Sequence, residues 1–239
     1  MIQKFFNTAF RKILTSTIFG LLMLLTVNAS PYQEVRNLDN FNSISLSIPA
    51  KVYIQQGSSF RVAIDADEND LDKIETEVRN GKLDIKNKNW SSNIKGSVVI
   101  NITMPELTAL SVAGSGSFTT SSVFKCNDLN LSVTGSGNIK MEELSAEKLD
   151  ALITGSGNIS LNGNKTAGEL KLNITGSGSY SAPDLKTDKV MITITGSGSA
   201  KINAVKELDT NITGSGDVHY KGDPIVNAHS TGSGKTRKM

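Results

Sequence analysis

Leu129-Asn130-Leu131-Ser132-Val133-Thr134-Gly135-Ser136-Gly137-Asn138-Ile139-Lys140-Met141 is the stretch that decides the fold. Apolar side chains stand at every second position up to Val133, a Gly-Ser-Gly triplet interrupts them, and the period of two resumes at Ile139 and Met141. Two is the period of a β-strand, so the stretch reads as strand, sharp corner, strand. The triplet recurs with its first glycine at Gly114, Gly135, Gly155, Gly176, Gly196, Gly214 and Gly232, at intervals of 21, 20, 21, 20, 18 and 18 residues. A repeat of that length, carrying an apolar face that no single copy can bury, is the signature of stacked coils.

Aligning the copies on the first corner glycine identifies the inward positions. Two residues before it stand Val112, Val133, Ile153, Ile174, Ile194 and Ile212, and four before it Leu110, Leu131, Ala151, Leu172 and Ile192. Six before it stand Leu129, Leu149, Leu170, Val190, Leu208 and Val226. After the corner, the fourth residue is Phe118, Ile139, Ile159, Tyr180, Ala200 or Val218, and the sixth is Met141, Leu161, Ala182, Ile202 or Tyr220. A third inward contact is expected at the ninth, from Val123, Leu144, Leu185 and Val205. Three inward segments per coil of 18–21 residues predict an all-β chain, a single-stranded parallel β-helix whose coils pair at roughly 4.8 Å. Six intervals give a rod about 29 Å long.

The corner glycines, Gly114 and Gly116, Gly135 and Gly137, Gly155 and Gly157, Gly176 and Gly178, Gly196 and Gly198, and Gly214 and Gly216, supply positive φ or close backbone approach. Just before each corner runs a row of hydroxyls, Thr134, Thr154, Thr175, Thr195 and Thr213, in which each threonine is placed to bond its neighbour in the next coil. Together with the ladder of corner serines it reads first as structural, and the alternative is a flat polar binding face for a glycan or a mineral surface. Seven residues before the corners stand Asp128, Lys148, Glu169, Lys189 and Glu207, so every charge meets its opposite on the coils beside it. Such a row specifies register, because a slip of one coil brings like charges together.

Before this stack, Lys4, Arg11 and Lys12 precede an apolar run from Ile13 to Val27, and Val27-Asn28-Ala29 has the small residues of a signal-peptidase site. The expected organisation is a signal peptide at 1–29, a less regular β-rich segment at 30–110 that caps the solenoid, and the repeats at 111–239. No integral membrane segment is expected to remain after cleavage. The formal charge of +2 comes from 25 basic and 23 acidic residues. Removing the three basic leader residues leaves 22 against 23, which points away from nucleic acid as a partner.

Within 30–110, Ile44, Leu46 and Ile48, then Val52, Ile54, Val62 and Ile64, keep the strand alternation. Ile74 to Val78 faces Leu83-Asp84-Ile85 across Asn80-Gly81, a dipeptide suited to a two-residue hairpin turn. Asp65-Ala66-Asp67-Glu68-Asn69-Asp70 lacks the glycine and distal glutamate of a calcium loop and reads as a solvated turn or short helical start.

The chemistry-bearing residues are sparse. Cys126 is the single cysteine, read as a half-buried small side chain, and His219 and His229 form no metal-ligand spacing. Gly-Ser-Gly is not the Gly-x-Ser-x-Gly nucleophile elbow, and no phosphate-binding loop is present. No catalytic, metal or cofactor residues are therefore assigned, and the expectation is a protein that is not an enzyme.

The order of an export signal, an opening strand set with Phe41 and Ile48, the Gln56-Gly57 turn, the Asn80-Gly81-Lys82-Leu83 hairpin, the Met104-Pro105-Glu106-Leu107 strand end and serial Gly-Ser-Gly corners resembles the putative auto-transporter adhesin, head GIN domain family. The resemblance covers residues 35 to 234 and implies a secreted or envelope β-helical domain of bacterial origin, right-handed, with an adhesive role. The sequence carries no series of amphipathic strands for an outer-membrane barrel after the repeats, so self-export is not expected of it. Two other function classes stand beside adhesion to a glycan or surface protein: a polysaccharide lyase or hydrolase, and a periplasmic scaffold. The alternation of Asp128 to Glu207 speaks against the enzyme, because lysines separate the carboxylates that glycoside chemistry pairs.

Overall fold

The computed structural model describes residues 32–89 and 93–239. The signal peptide read at 1–29 lies outside the described residues. In chain order the elements are β1 (Tyr32–Arg36), β2 (Ser43–Leu46), β3 (Ala50–Gln56), β4 (Arg61–Ala66), α1 (Glu68–Leu71), β5 (Ile74–Arg79), β6 (Lys82–Asn87), β7 (Val98–Met104), β8 (Ala109–Gly114), β9 (Ser117–Gly135) and β10 (Asn138–Gly155). They continue with β11 (Asn158–Leu161), β12 (Ala167–Gly176), β13 (Ser179–Gly196), β14 (Ser199–Gly214), β15 (Asp217–Lys221), β16 (Ile225–Gly232) and β17 (Lys235–Lys238).

The architecture is a β-solenoid. Long strands bend around the interior: the first residues of β10 pair in parallel with β11 on one face, and Lys148–Gly155 pair in parallel with β12 on another. One face therefore stacks β6, β2, β8, the end of β9, the end of β10, β12, β13, β14 and β16. A second face stacks β7, β3, the start of β9, β10, β11, β13, β14, β15 and β17.

The repeat register is kept residue by residue: Val112, Val133, Ile153, Ile174, Ile194 and Ile212 are successive partners, and every one is buried. The corners follow the same register. Their first glycines have φ between +106° at Gly114 and +128° at Gly232, a region that a side chain strains. From the second corner on, the serine amide of each corner is bonded to the coil before, as in Ser156 N to Gly135 O at 2.9 Å, and the amide after the second glycine commonly is too, as in Asn158 N to Gly137 O at 3.0 Å. These bonds occupy backbone donors that the turn would otherwise leave idle at the edge of the core.

Three residues expected inside are exposed instead. Val123 is exposed because the ladder between β9 and β10 slips after Met141, so that Phe124 meets Leu144 and fills the third inward site. Val205 is exposed because the shorter coil shifts the pairing of β13 with β14, and Ala204 takes the interior. Val226 is exposed because it lies on β16, in the last coil, where no further described strand covers it. The core also turns polar toward that end: Thr210 occupies the position of Ile192, is buried, and bonds Thr236 hydroxyl to hydroxyl at 2.8 Å.

The residues before the repeats are threaded out of sequence order. β2 and β3 form a coil lying between β6–β7 on one side and β8–β9 on the other, although β6 and β7 come later in the chain. The passage from β7 to β8 crosses over this inserted coil and is fastened to it. Gly57 N donates to Met104 O at 3.0 Å and Thr108 N to Asn42 O at 2.7 Å. Gln56 Nε2 donates to Pro105 O at 2.8 Å, and Gln56 Oε1 accepts from Lys125 N at 3.0 Å. Beyond β7, antiparallel β4 and then β1 extend the second face, and antiparallel β5 extends the first. The β5–β6 turn is closed by Asn80 (φ 50°) and Gly81 (φ 77°), both positive as a two-residue hairpin turn requires. The acidic stretch forms the single turn α1, whose Asp70 is buried and accepts from Lys73 Nζ at 2.6 Å and Gly96 N at 2.7 Å.

Candidate functional site

Strand alternation determines what the first face shows to solvent, because residues flanking a buried one must point out. Thr134, Thr154, Thr175, Thr195 and Thr213 are direct partners from coil to coil, and all are exposed. Their hydroxyls do not bond one another among the described residues. The expected bonded ladder is found instead on the second face, where Asn158 Nδ2 donates to Asn138 Oδ1 at 2.8 Å and Ser179 Oγ donates to Asn158 Oδ1. Amides are long enough to bridge coils where threonine hydroxyls are not, so the threonine row keeps its donors and acceptors for solvent or a ligand.

Three outward rows away on the same face, Asp128, Lys148, Glu169, Lys189 and Glu207 are also successive partners. One neighbouring pair closes, Lys189 Nζ to Glu207 at 3.3 Å, whereas Glu169 turns to Lys171 on its own strand at 3.5 Å. Between the charges lies a concavity of ≈ 240 Å³ lined by Asp128, Asn130, Lys148, Asp150, Glu169 and Lys171. Signs are mixed throughout it, so it presents no carboxylate pair set apart for acid and base roles.

His219 and His229 lie on β15 and β16, partnered by Lys201 and by Asn211, and the structure does not bring them together. Among the described residues no group of three or more His, Cys, Asp or Glu is placed to hold a metal ion. Cys126 is half-buried, its sulfur 4.0 Å from Ser145 O, and burial pushes the thiol up to about 11, with Asp128 and Glu106 adding to the shift. Among the described residues no helix is long and apolar enough to cross a membrane. Sequence reasoning missed a second concavity, where Tyr53 and Arg61 meet Asn101. Its strands are neighbours only through the out-of-order threading, so no spacing along the chain announces it.

A β-solenoid with a regular outward polar face is the class that this geometry defines. The family model for the putative auto-transporter adhesin, head GIN domain, matches residues 40–224, and the chain belongs to that family. A solved structure from Parabacteroides distasonis, described as a putative lipid binding protein, is 28% identical, with 89% of this chain and 98% of that chain covered at a TM-score of 0.72. A putative adhesin from Bacteroides fragilis is 23% identical over 88% of this chain and 97% of its own, with a TM-score of 0.80. One from Parabacteroides merdae is 22% identical over 89% and 97%, with a TM-score of 0.68. These last two share the fold. No curated protein matches the chain significantly.

Proposed function

We propose that the chain is an exported, non-enzymatic binding protein of the adhesin type, which engages a glycan or a surface protein through the threonine-bearing face of the solenoid. The observation that carries this reading is the row Thr134 to Thr213: in register over five strand crossings, exposed, and with hydroxyls not spent on one another. Membership of an adhesin family supports it, as does the leader of Lys4, Arg11, Lys12 and the apolar run to Val27. A repeating row of donors and acceptors suits a partner that itself repeats, because each added coil adds the same contact.

The test replaces Thr154 and Thr195 by glutamate and Thr175 by lysine, so that opposite charges meet on adjacent coils outside the core, and compares this variant with the parent protein on glycan and matrix-protein arrays. Loss of the parent's binding at unchanged thermal stability is the expected result. Retained binding removes this face from the function. Protease accessibility on intact cells, with a periplasmic fractionation control, tests location: protection until the outer envelope is opened overturns the adhesive reading in favour of a periplasmic scaffold.

A further inference from the structure

The second face carries a built concavity near its N-terminal end. Strand pairing aligns Asn101 of β7, Tyr53 of β3 and Thr119 of β9 in one outward row, and Arg61 of β4, Thr103 and Gln55 in the next. Tyr53, Gln55, Arg61, Asn101 and Thr103 line a hollow of ≈ 200 Å³ over the buried Ile54 and Ile102. Tyr53 leaves 40% of its surface exposed there. An aromatic ring kept in solvent among amides and hydroxyls offers a flat apolar platform with polar groups at its rim.

The polar groups are held in place yet not exhausted. Gln55 Nε2 donates to Thr103 Oγ1 at 3.1 Å, which leaves Gln55 Oε1 and the Thr103 hydroxyl proton available. Asn101 Nδ2 donates to Asp65 Oδ2 at 3.2 Å, which leaves Asn101 Oδ1. Asp65 is further occupied by Gln33 Nε2 at 2.8 Å. Arg61 is exposed and, among the described residues, takes part in no ion pair or side-chain hydrogen bond. A guanidinium presents a planar fork suited to a carboxylate.

We propose that this concavity binds a carboxylated sugar ring. The apolar face of the ring lies on Tyr53, its hydroxyls meet Asn101, Gln55 and Thr103, and its carboxylate meets Arg61. This deepens the binding role proposed above by giving it a ligand class, and it places the contact on a different face from the threonine row.

The probes are trigalacturonate and its methyl ester, and sialyllactose and lactose, titrated calorimetrically into the full chain and into Arg61→Gln and Tyr53→Ala. The charged member of at least one pair is expected to bind more tightly than its neutral counterpart. Arg61→Gln is expected to weaken that binding about tenfold, the effect of one charge-assisted contact, and to erase the preference for charge. Tyr53→Ala should weaken both members of the pair. Preference for trigalacturonate identifies a uronate source, and preference for sialyllactose a sialoside source. No binding of either charged probe, or binding that both substitutions leave unchanged, overturns the proposal. The variant with Thr154, Thr175 and Thr195 replaced separates the two ideas: intact binding of the charged probe there, with array binding lost, leaves each site with its own ligand.

Discussion

A Cβ placed on Gly155 would stand 2.6 Å from the carbonyl oxygen of Gly135, the equivalent corner of the coil before. Gly155 also has φ +114°, so alanine there meets both backbone strain and a backbone atom that cannot step aside. Gly114 shares the strain, with φ +106°, but nothing lies within 4 Å of its Cβ direction. Gly155→Ala is therefore expected to cost on the order of 3 kcal/mol and Gly114→Ala about 1 kcal/mol. Urea midpoints of the two variants check the order. Equal losses would mean that φ alone, and not the approach of the coils, makes glycine necessary at the corner.

Asp70 ties α1 to the segment leading into β7, and its carboxyl is held below the usual carboxylate range. The hydrogen bond from Lys73 is the largest cause, followed by that from Gly96 N, while burial pulls the other way. The folded state therefore prefers the ionised form. Its stabilising effect is present in full above the unfolded value of 3.8 and is lost as pH falls through the lower folded value. Asp70→Asn is expected to cost on the order of 2 kcal/mol at pH 7. The gap between the variant and the parent should close below about pH 4. Denaturant midpoints between pH 2 and pH 8 measure this, and a gap that stays constant with pH contradicts the ionic role.

How much of the molecule could be read in advance depended on whether local pattern or threading set the contact. The coils with Gly-Ser-Gly corners were legible because alternation and corner fall in one stretch of chain, as from Leu129 to Met141. The coil of β2 and β3 was visible only as alternation, since Ser47-Ile48-Pro49-Ala50 turns its corner where the next coil has Ala113-Gly114-Ser115-Gly116. Phe124 displaced Val123 from the interior because a slip of one residue changes which side points inward, and a period alone does not locate a slip. Tyr53, Arg61 and Asn101 meet because β7 lies between β3 and β4, a consequence of the inserted coil that no local pattern carries. The threonine row was legible in position, but its lack of mutual bonds was not, because that depends on the distance a short hydroxyl can reach between coils.

Cys126 is half-buried with its thiol pushed up to about 11, so little of it is thiolate at neutral pH. At pH 8 its alkylation by iodoacetamide is expected to run roughly a hundredfold slower than that of an ordinary thiol with the unshifted value of 9.0. The rate should keep rising with pH until about 11. Mass spectrometry of timed labelling at pH 7 to 10 gives the curve. A plateau near pH 9 would show an open, reactive thiol and a looser coil between β9 and β10.

Tyr180 fills the interior between Ile159 and Ala200 of the adjacent coils, and its hydroxyl has no hydrogen-bond partner among the described residues. Burial alone pushes its ionisation up from the ordinary value, which makes the neutral phenol the form present at any physiological pH. A buried hydroxyl without a partner opposes folding, since the unfolded chain satisfies it with water. Tyr180→Phe removes that atom and keeps the ring, leaving no group that lost a bond. The variant is expected to be more stable by about 1 kcal/mol, seen as a rise of roughly 3 °C in Tm. Tyr180→Ala removes the ring as well and is expected to cost about 4 kcal/mol through the cavity it leaves. A fall in Tm for Tyr180→Phe would mean that the hydroxyl does have a partner, in which case the interior of the solenoid at this coil is polar rather than dry.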